Sequence, residues 1–301
     1  MSDDAIMEIA DRDGIGHAVR MPGTGPTIRA RRLGQRLREL RERAGLAPED
    51  AAGRLGWSRP KLVRFETGTT VPRPGDVTAM CELYGAASDE RALLVQLASD
   101  AGKRGWWTAY GDVFTGSYVA DEAIASQIRT WEPLLIPGLL QTERYAWALF
   151  ETRWPDDPDG VQRRVMARMA RRTLLSKPGA PQMTAIVDEA ALRRPIGGPE
   201  TMHEQLDELL RPRRNVTIQV VPFTAGAHPG LEGSFVLLDF PEDSTFPTEV
   251  YAESIAGDLY PESADQIMRI SQAFDGIAQI ALPSDDSAGL IRQISKEFPS
   301  T

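Results

Sequence analysis

Cysteine is almost missing from this chain. Cys81 stands alone, so no disulfide framework can hold the protein together. Histidine is nearly as scarce, with only His17, His203 and His228, and that set cannot make the paired spacings of a zinc finger. No metal ligand set and no cofactor is therefore expected. No uncharged apolar run approaches the roughly 18 residues that a membrane span needs. Asp3 and Asp4 stand at the N-terminus, where a secretory signal would be basic and then apolar. The expectation is a cytoplasmic protein with no membrane partner. The Gly-x-Ser-x-Gly elbow, the His-Glu-x-x-His pair and the Gly-x-x-x-x-Gly-Lys phosphate loop are missing as well, so no enzyme and no catalytic residue is expected.

What is present is ordinary globular material, 42% hydrophobic and 26% charged over 301 residues, enough for two domains at about 150 residues each. The net charge of −9 excludes a chain that coats nucleic acid along its whole length. The average conceals an asymmetry. From Arg29 to Arg64 eleven Lys/Arg face four acids, a net +7 that leaves −16 for the remainder. A compact basic module on an acidic body suits local phosphate binding.

Residues 1–28 lack periodicity and end in the Pro/Gly-rich stretch Met21-Pro-Gly-Thr-Gly-Pro26, which reads as a flexible tail. From Arg31 the pattern is helical, with Leu33, Leu37, Leu40 and Ala44 at three- and four-residue steps. Gly45 then sits where a C′ glycine belongs. A second helix is expected from Pro48 to Leu55, stopping at Gly56, with Glu49 and Asp50 at its positive end. Ser58 is the expected N-cap of a third, with Pro60 in its first turn and Gly68 past its end. A fourth runs from the Pro72–Pro74 region to Tyr84, and a fifth from Ser88 to about Ala101. A first, helical domain is thus expected over 29–101, a hinge over 102–105 (Gly-Lys-Arg-Gly) and a second domain over 106–298. That second domain predicts helices near 119–130, 138–150, 160–176, 200–210, 262–280 and 287–298. Strands are expected at Met183–Val187, Val216–Val221, Phe235–Phe240 and Glu249–Glu253. Strands clustered beside helices, without strict alternation, read as α+β, a mixed arrangement of helices and antiparallel sheet.

The stretch from Pro48 to Gly68 carries the chemistry. A helix-turn-helix needs a small residue where its helices cross, and Ala52 supplies it. It needs a glycine able to take positive φ four residues later, and Gly56 is there. Leu62 and Phe65 give the second helix an inward face. Arg59, Lys61 and Arg64 are expected on the face turned away, where they can donate to guanine O6 and N7 in a major groove.

Leu33-Gly-Gln-Arg-Leu-Arg-Glu-Leu-Arg-Glu-Arg-Ala-Gly-Leu46, Ala51-Ala-Gly-Arg-Leu-Gly56 and Lys61-Leu-Val-Arg-Phe-Glu-Thr-Gly68 together resemble the lambda-repressor/Cro-like (XRE) helix-turn-helix family. The C-terminal part resembles the domain of unknown function paired with it in actinobacterial regulators of the WhiJ type. The matching phrases there are Gly105-Trp-Trp107, Trp131-Glu-Pro-Leu-Leu-Ile-Pro-Gly-Leu-Leu-Gln-Thr142, Asp188-Glu-Ala-Ala-Leu-Arg193, Val221-Pro-Phe-Thr-Ala-Gly-Ala-His-Pro-Gly230 and Gly257-Asp-Leu-Tyr260. The resemblance implies a lambda-repressor-like five-helix domain followed by an effector or interaction domain. It also implies an ion pair from Arg41 to Glu66 that ties the first helix to the end of the third, with the remaining Arg41 donors facing phosphate. Two departures stand out. Pro48 replaces the glutamine that usually opens the second helix on a phosphate, and Pro60 occupies a position often used for base contact.

The expected DNA-binding residues are Ser58, Arg59, Lys61, Arg64, Arg41 and Thr67. The expected framework is Ala52, Gly56, Leu62, Phe65, Glu66 and Gly68. Partners are double-stranded DNA, a second copy of the chain and, by the resemblance, a small protein encoded by an adjacent gene. The leading reading is a sequence-specific transcriptional regulator. An antitoxin-like interaction module controlling that small neighbour is the alternative. A DNA-tethered hydrolase with His228 as general base is the third reading, against a structural histidine in a strand-connecting loop. Cys81, among Met80, Leu83 and Tyr84, reads as a buried, inert thiol. The loops Leu134–Gln141 and Pro222–Gly230 read as a recognition surface or as packing of the sheet against its helices.

Overall fold

In the computed structural model, α1 (Ile28–Arg43) buries Leu33, Leu37 and Leu40 on one face. The structure describes residues 28–101, 106–110, 112–114, 117–241, 248–254, 257–261 and 263–298. The expected tail up to residue 27 and the expected hinge over 102–105 lie outside the described residues.

Gly45 follows α1 at φ +68°, a conformation that costs a residue with a Cβ about 1 kcal/mol or more. The chain then turns into α2 (Pro48–Arg54), α3 (Arg59–Glu66), α4 (Pro74–Tyr84) and α5 (Ser88–Ala101). Gly56 makes the turn between α2 and α3 at φ +69°. These five helices enclose one core of Leu33, Leu37, Leu62, Val77, Met80, Cys81 and Leu94 with their neighbours. At roughly 1.5–3 kcal/mol for each large side chain removed from water, that core holds a small domain. Burial also pushes the Cys81 thiol up to about 11, so the reactive thiolate is rare near neutral pH.

The second domain is built on a sheet covered on both faces. After α6 (Tyr118–Glu122) come β1 (Gln127–Glu132), α7 (Glu143–Arg153), α8 (Pro158–Arg172), β2 (Gln182–Asp188), α9 (Glu189–Arg193), α10 (Pro199–Leu209) and β3 (Val216–Val221). The chain continues through β4 (Phe235–Asp239), β5 (Glu249–Ser254), β6 (Gly257–Leu259), α11 (Ala264–Ile280) and α12 (Ser284–Ser295). The strand order is β3-β2-β1-β4-β5-β6. Ile128, Met183, Ala185, Val220 and Leu238 pack on one face with Tyr145, Leu206 and Ile291, while Trp131, Ile186, Leu237 and Val250 pack on the other with Phe274 and Ile277.

The α+β class expected from sequence is the observed one, and the sheet itself corrects one detail. It is mixed, not antiparallel: β1, β2 and β3 run parallel, and β4 to β6 complete it antiparallel. The reason is connection length. Helical crossovers separate β1 from β2 and β2 from β3, and a strand that returns by a helix returns parallel. The helix expected over 119–130 is also corrected. It ends at Glu122, and the central strand β1 begins at Gln127.

Candidate nucleic-acid interface

The interface begins where α1 crosses α3. Gly34 allows that crossing, since a Cβ there would lie 2.5 Å from the carbonyl oxygens of both Phe65 and Glu66. Gly68, at φ +72°, takes the chain past the backbone of Ala30, which a Cβ would meet at 2.7 Å. Gly68 was legible as a helix stop. Gly34 was missed, because a close backbone approach leaves no periodic signal in sequence.

The same crossing holds the Arg41–Glu66 pair. Arg41 Nε donates to Glu66 Oε1 at 2.7 Å and Nη2 to Oε2 at 2.9 Å, while Nη1 donates to the Leu46 carbonyl at 2.8 Å. Both side chains are buried, and the hydrogen bonds to Glu66 raise the Arg41 pKa. Three of the five N–H donors of Arg41 are used in this way, so Arg41 braces α1 against α3.

On α3 itself, Leu62, Phe65 and Glu66 face the bundle, and Pro60, Arg64 and Thr67 are exposed on the other side. Arg64 has no ion-pair partner among the described residues and is the freest cation of the three expected readers. Arg59 is exposed and pairs with the exposed Glu49 at 2.5 Å. Lys61 is not on the outward face. Its Nζ sits 3.9 Å from the centroid of the Trp57 ring and 3.3 Å from Asp76 Oδ1. A step of 100° per residue puts position 61 on the flank beside Phe65, not opposite it. Trp57, which sequence reasoning passed over, meets the Phe65 ring edge-on at 5.6 Å. Ser58 takes the N-cap position with its hydroxyl unused as a cap. The Thr67 hydroxyl lies 2.9 Å from that of Thr69. Arg31, one turn from the start of α1, forms an ion pair with Glu249 of β5.

In the second domain His228 is part of a clasp around Trp131. Trp131 Nε1 donates to the Gly230 carbonyl at 2.8 Å, and His228 Nδ1 accepts from the Gly230 amide at 3.2 Å. The imidazole stands edge-on to the indole at 5.4 Å, and Nε2 lies 3.8 Å from Asp188 Oδ2. A Cβ at Gly230 would run into the indole at 2.5 Å. The loop from Leu134 to Gln141 turns inward. Ile136, Leu139, Leu140 and Gln141 are buried, leaving Leu134 exposed. Phe223 and Leu231, around the second loop, are exposed. Among the described residues, no group of His, Cys, Asp and Glu could hold a metal ion, and no helix is long and apolar enough to cross a membrane.

One carboxyl group stands apart. Burial pushes Glu132, at the end of β1, up to about 8, with Glu253 adding to the rise and Arg168 opposing it. A carboxylic acid whose folded pKa lies above its unfolded value of about 4.3 binds more protons folded than unfolded in the window between them. Its contribution to stability therefore falls as pH rises through that window. Replacing Glu132 by Gln removes the penalty. The expected result is a melting temperature that gains on the parent between pH 5 and pH 8. Equal pH slopes for both proteins would contradict it.

Two family models match the chain. Residues 32–94 match a helix-turn-helix domain, and residues 115–293 match a domain of unknown function, DUF5753. No curated protein and no solved structure matches.

Proposed function

Since the chain belongs to the family of the domain of unknown function DUF5753 and carries a helix-turn-helix domain ahead of it, we propose that it is a sequence-specific transcriptional regulator acting on double-stranded DNA in the cytoplasm. The XRE and WhiJ-type likeness of its motifs supports the same reading. The observation that carries it is the outward face of α3, where Arg64, Pro60 and Thr67 are exposed and Arg59 is held by one exposed pair. Such a pair is worth no more than about 1 kcal/mol, so a guanine edge or a phosphate can displace Glu49. Ser58 and Thr67 serve as phosphate contacts at the two ends of the helix.

The test uses a duplex selected by the protein from a random pool, at fixed salt. Arg64→Ala should weaken binding by about 1–3 kcal/mol and relax preference at one base pair. Arg59→Ala should cost less, because the parent must break the Arg59–Glu49 pair before Arg59 can make its contact. Unchanged affinity in Arg64→Ala would overturn this docking.

One helix-turn-helix reads too few base pairs to choose a genomic site, so we propose that the protein acts as a homodimer on a two-fold operator. A monomer by sedimentation with a single half-site footprint would exclude that. The C-terminal domain, in this reading, binds and does not catalyse. The buried His228 ring, committed to Gly230 and Trp131, supports a structural histidine over a general base. Exposed Phe223 and Leu231 suit the apolar anchor of a small protein partner encoded nearby. This surface also keeps the antitoxin-like alternative open. Co-purification of the neighbour with and without operator DNA separates the two.

A further inference from the structure

Arginines outnumber acids at one place in the second domain. Glu208, near the end of α10, meets Arg172 from the end of α8 at 2.5 Å. It also meets Arg213 and Arg211, both from the connection between α10 and β3, at 2.5 and 2.9 Å. Among the described residues no other acid lies within ion-pair reach of these three, and the neighbouring Arg214 has no ion-pair partner. Four guanidinium groups thus stand around one carboxylate, a net charge of +3. The chain outside residues 29–64 carries −16, so this is a basic island on an acidic body. Arg172 and Arg213 both donate through Nη2 to the same Glu208 oxygen. Each arginine has five N–H donors, so donors remain on all four. Arg211 and Arg214 are exposed, while Arg172 and Arg213 are half-buried.

The connection that carries them is braced. Asn215 Nδ2 donates to the carbonyls of Leu175 and Pro181 at 3.2 and 3.0 Å, and the Arg211 amide donates to the Glu208 carbonyl at 3.3 Å. Pro212 fixes its own φ between the arginines. A loop held in this way loses little freedom on binding. Its place in the sheet is equally telling. Glu249, Leu238, Ile128, Met183 and Val216 pair in one row across β5, β4, β1, β2 and β3. Val216 begins β3 directly after the arginine loop, and Glu249, at the other end of the row, holds Arg31 of α1. The loop and the start of α1 therefore flank the same end of the sheet. Four strand spacings span that row, about 19 Å, which is the rise of roughly six base pairs.

We propose that Arg172, Arg211, Arg213 and Arg214 form a phosphate-binding surface for the backbone of DNA flanking the operator. The second domain then lengthens the footprint laid down by α3 without reading sequence, since phosphate contacts position a protein and carry no base information. Guanidinium groups suit the task because they meet phosphate through paired N–H donors. Glu208 is buried and gathers its three partners from beneath, which keeps like charges together before DNA arrives. This surface rests on the reading of α3 as the operator contact, so the test reports on the two separately.

The probes are two duplexes: the shortest that the full-length protein binds, and the same sequence extended on each side by unrelated DNA of one helical turn, about 10 bp. Affinities are read by fluorescence anisotropy across a salt series. The parent should bind the extended duplex more tightly and with a steeper salt dependence. Arg211→Ala combined with Arg214→Ala leaves Arg172 and Arg213 on Glu208 and should keep the fold. That protein should match the parent on the short duplex and lose the gain on the long one, its salt slope there falling by about 2. Over a fourfold rise in salt, that difference amounts to about tenfold in affinity. Arg144→Ala combined with Arg194→Ala removes two exposed arginines from the opposite end of the sheet, beyond β1 and β2, and should change binding to neither duplex. Arg64→Ala reports on α3 by weakening both duplexes alike. No gain on extension, the same gain after loss of Arg211 and Arg214, or an equal loss after removal of Arg144 and Arg194 would overturn the proposal.

Discussion

Arg41→Ala should remove about 3–5 kcal/mol from the stability of the DNA-binding domain, the range found when a buried ion pair loses one member. The cost comes from what remains. Glu66 would stay buried with both oxygens stripped of their donors, and the Leu46 carbonyl would lose the hydrogen bond from Nη1. Lysine cannot repair this, because one ammonium does not reproduce three divergent N–H donors. Arg41→Lys should therefore recover only part of the loss. Replacing both partners, Arg41→Met with Glu66→Leu, should come much closer to the parent, since no orphaned charge is left. Hydrogen exchange at the Leu62 and Phe65 amides reads the opening free energy of this domain apart from the other. An Arg41→Ala protein with unchanged protection there would show that the pair does not brace α1 against α3.

The DNA-binding half was legible because its signals are local. Helix stops at Gly45, Gly56 and Gly68, the inward triplet spacing of Leu62 and Phe65, and the proline at the head of α2 all act within a few residues of themselves. The central strand was not legible, for a physical reason. β1 has both faces covered, so Ile128, Thr130 and Trp131 are all buried and no alternation marks it as a strand. Its Arg129 carries a charge that only the fold explains, through a two-pronged pair with Asp239 at 2.8 and 3.1 Å. Lys61 is a different case. Its residue type suits DNA, but its angular position on α3 sends it to Trp57 and Asp76. Pairings distant in sequence decide the function of a charged residue, and a single sequence does not display them.

Two glycine-to-alanine changes inside neighbouring helices should move stability in opposite directions. Gly53, in α2, is exposed and has nothing within 4 Å of an added Cβ. Alanine there lowers the backbone entropy of the unfolded chain and should stabilise by about 0.5–1 kcal/mol. Gly34, in α1, offers the same helical gain, but the new methyl would sit 2.5 Å from two backbone oxygens of α3. Backbone at the end of a packed helix cannot rotate away as a side chain can. Overpacking of this kind costs typically 1–3 kcal/mol, so Gly34→Ala should be a net loss despite its better propensity. The relief available is for α1 and α3 to separate, which would strain the Arg41–Glu66 pair and tilt the face that carries Arg64. DNA affinity should then fall together with stability in Gly34→Ala and stay level in Gly53→Ala. Thermal melts of the two proteins beside the parent, with binding measured on one duplex at one salt concentration, give both readouts. Equal stabilisation by both alanines would mean that α1 and α3 do not approach as closely as Gly34 permits.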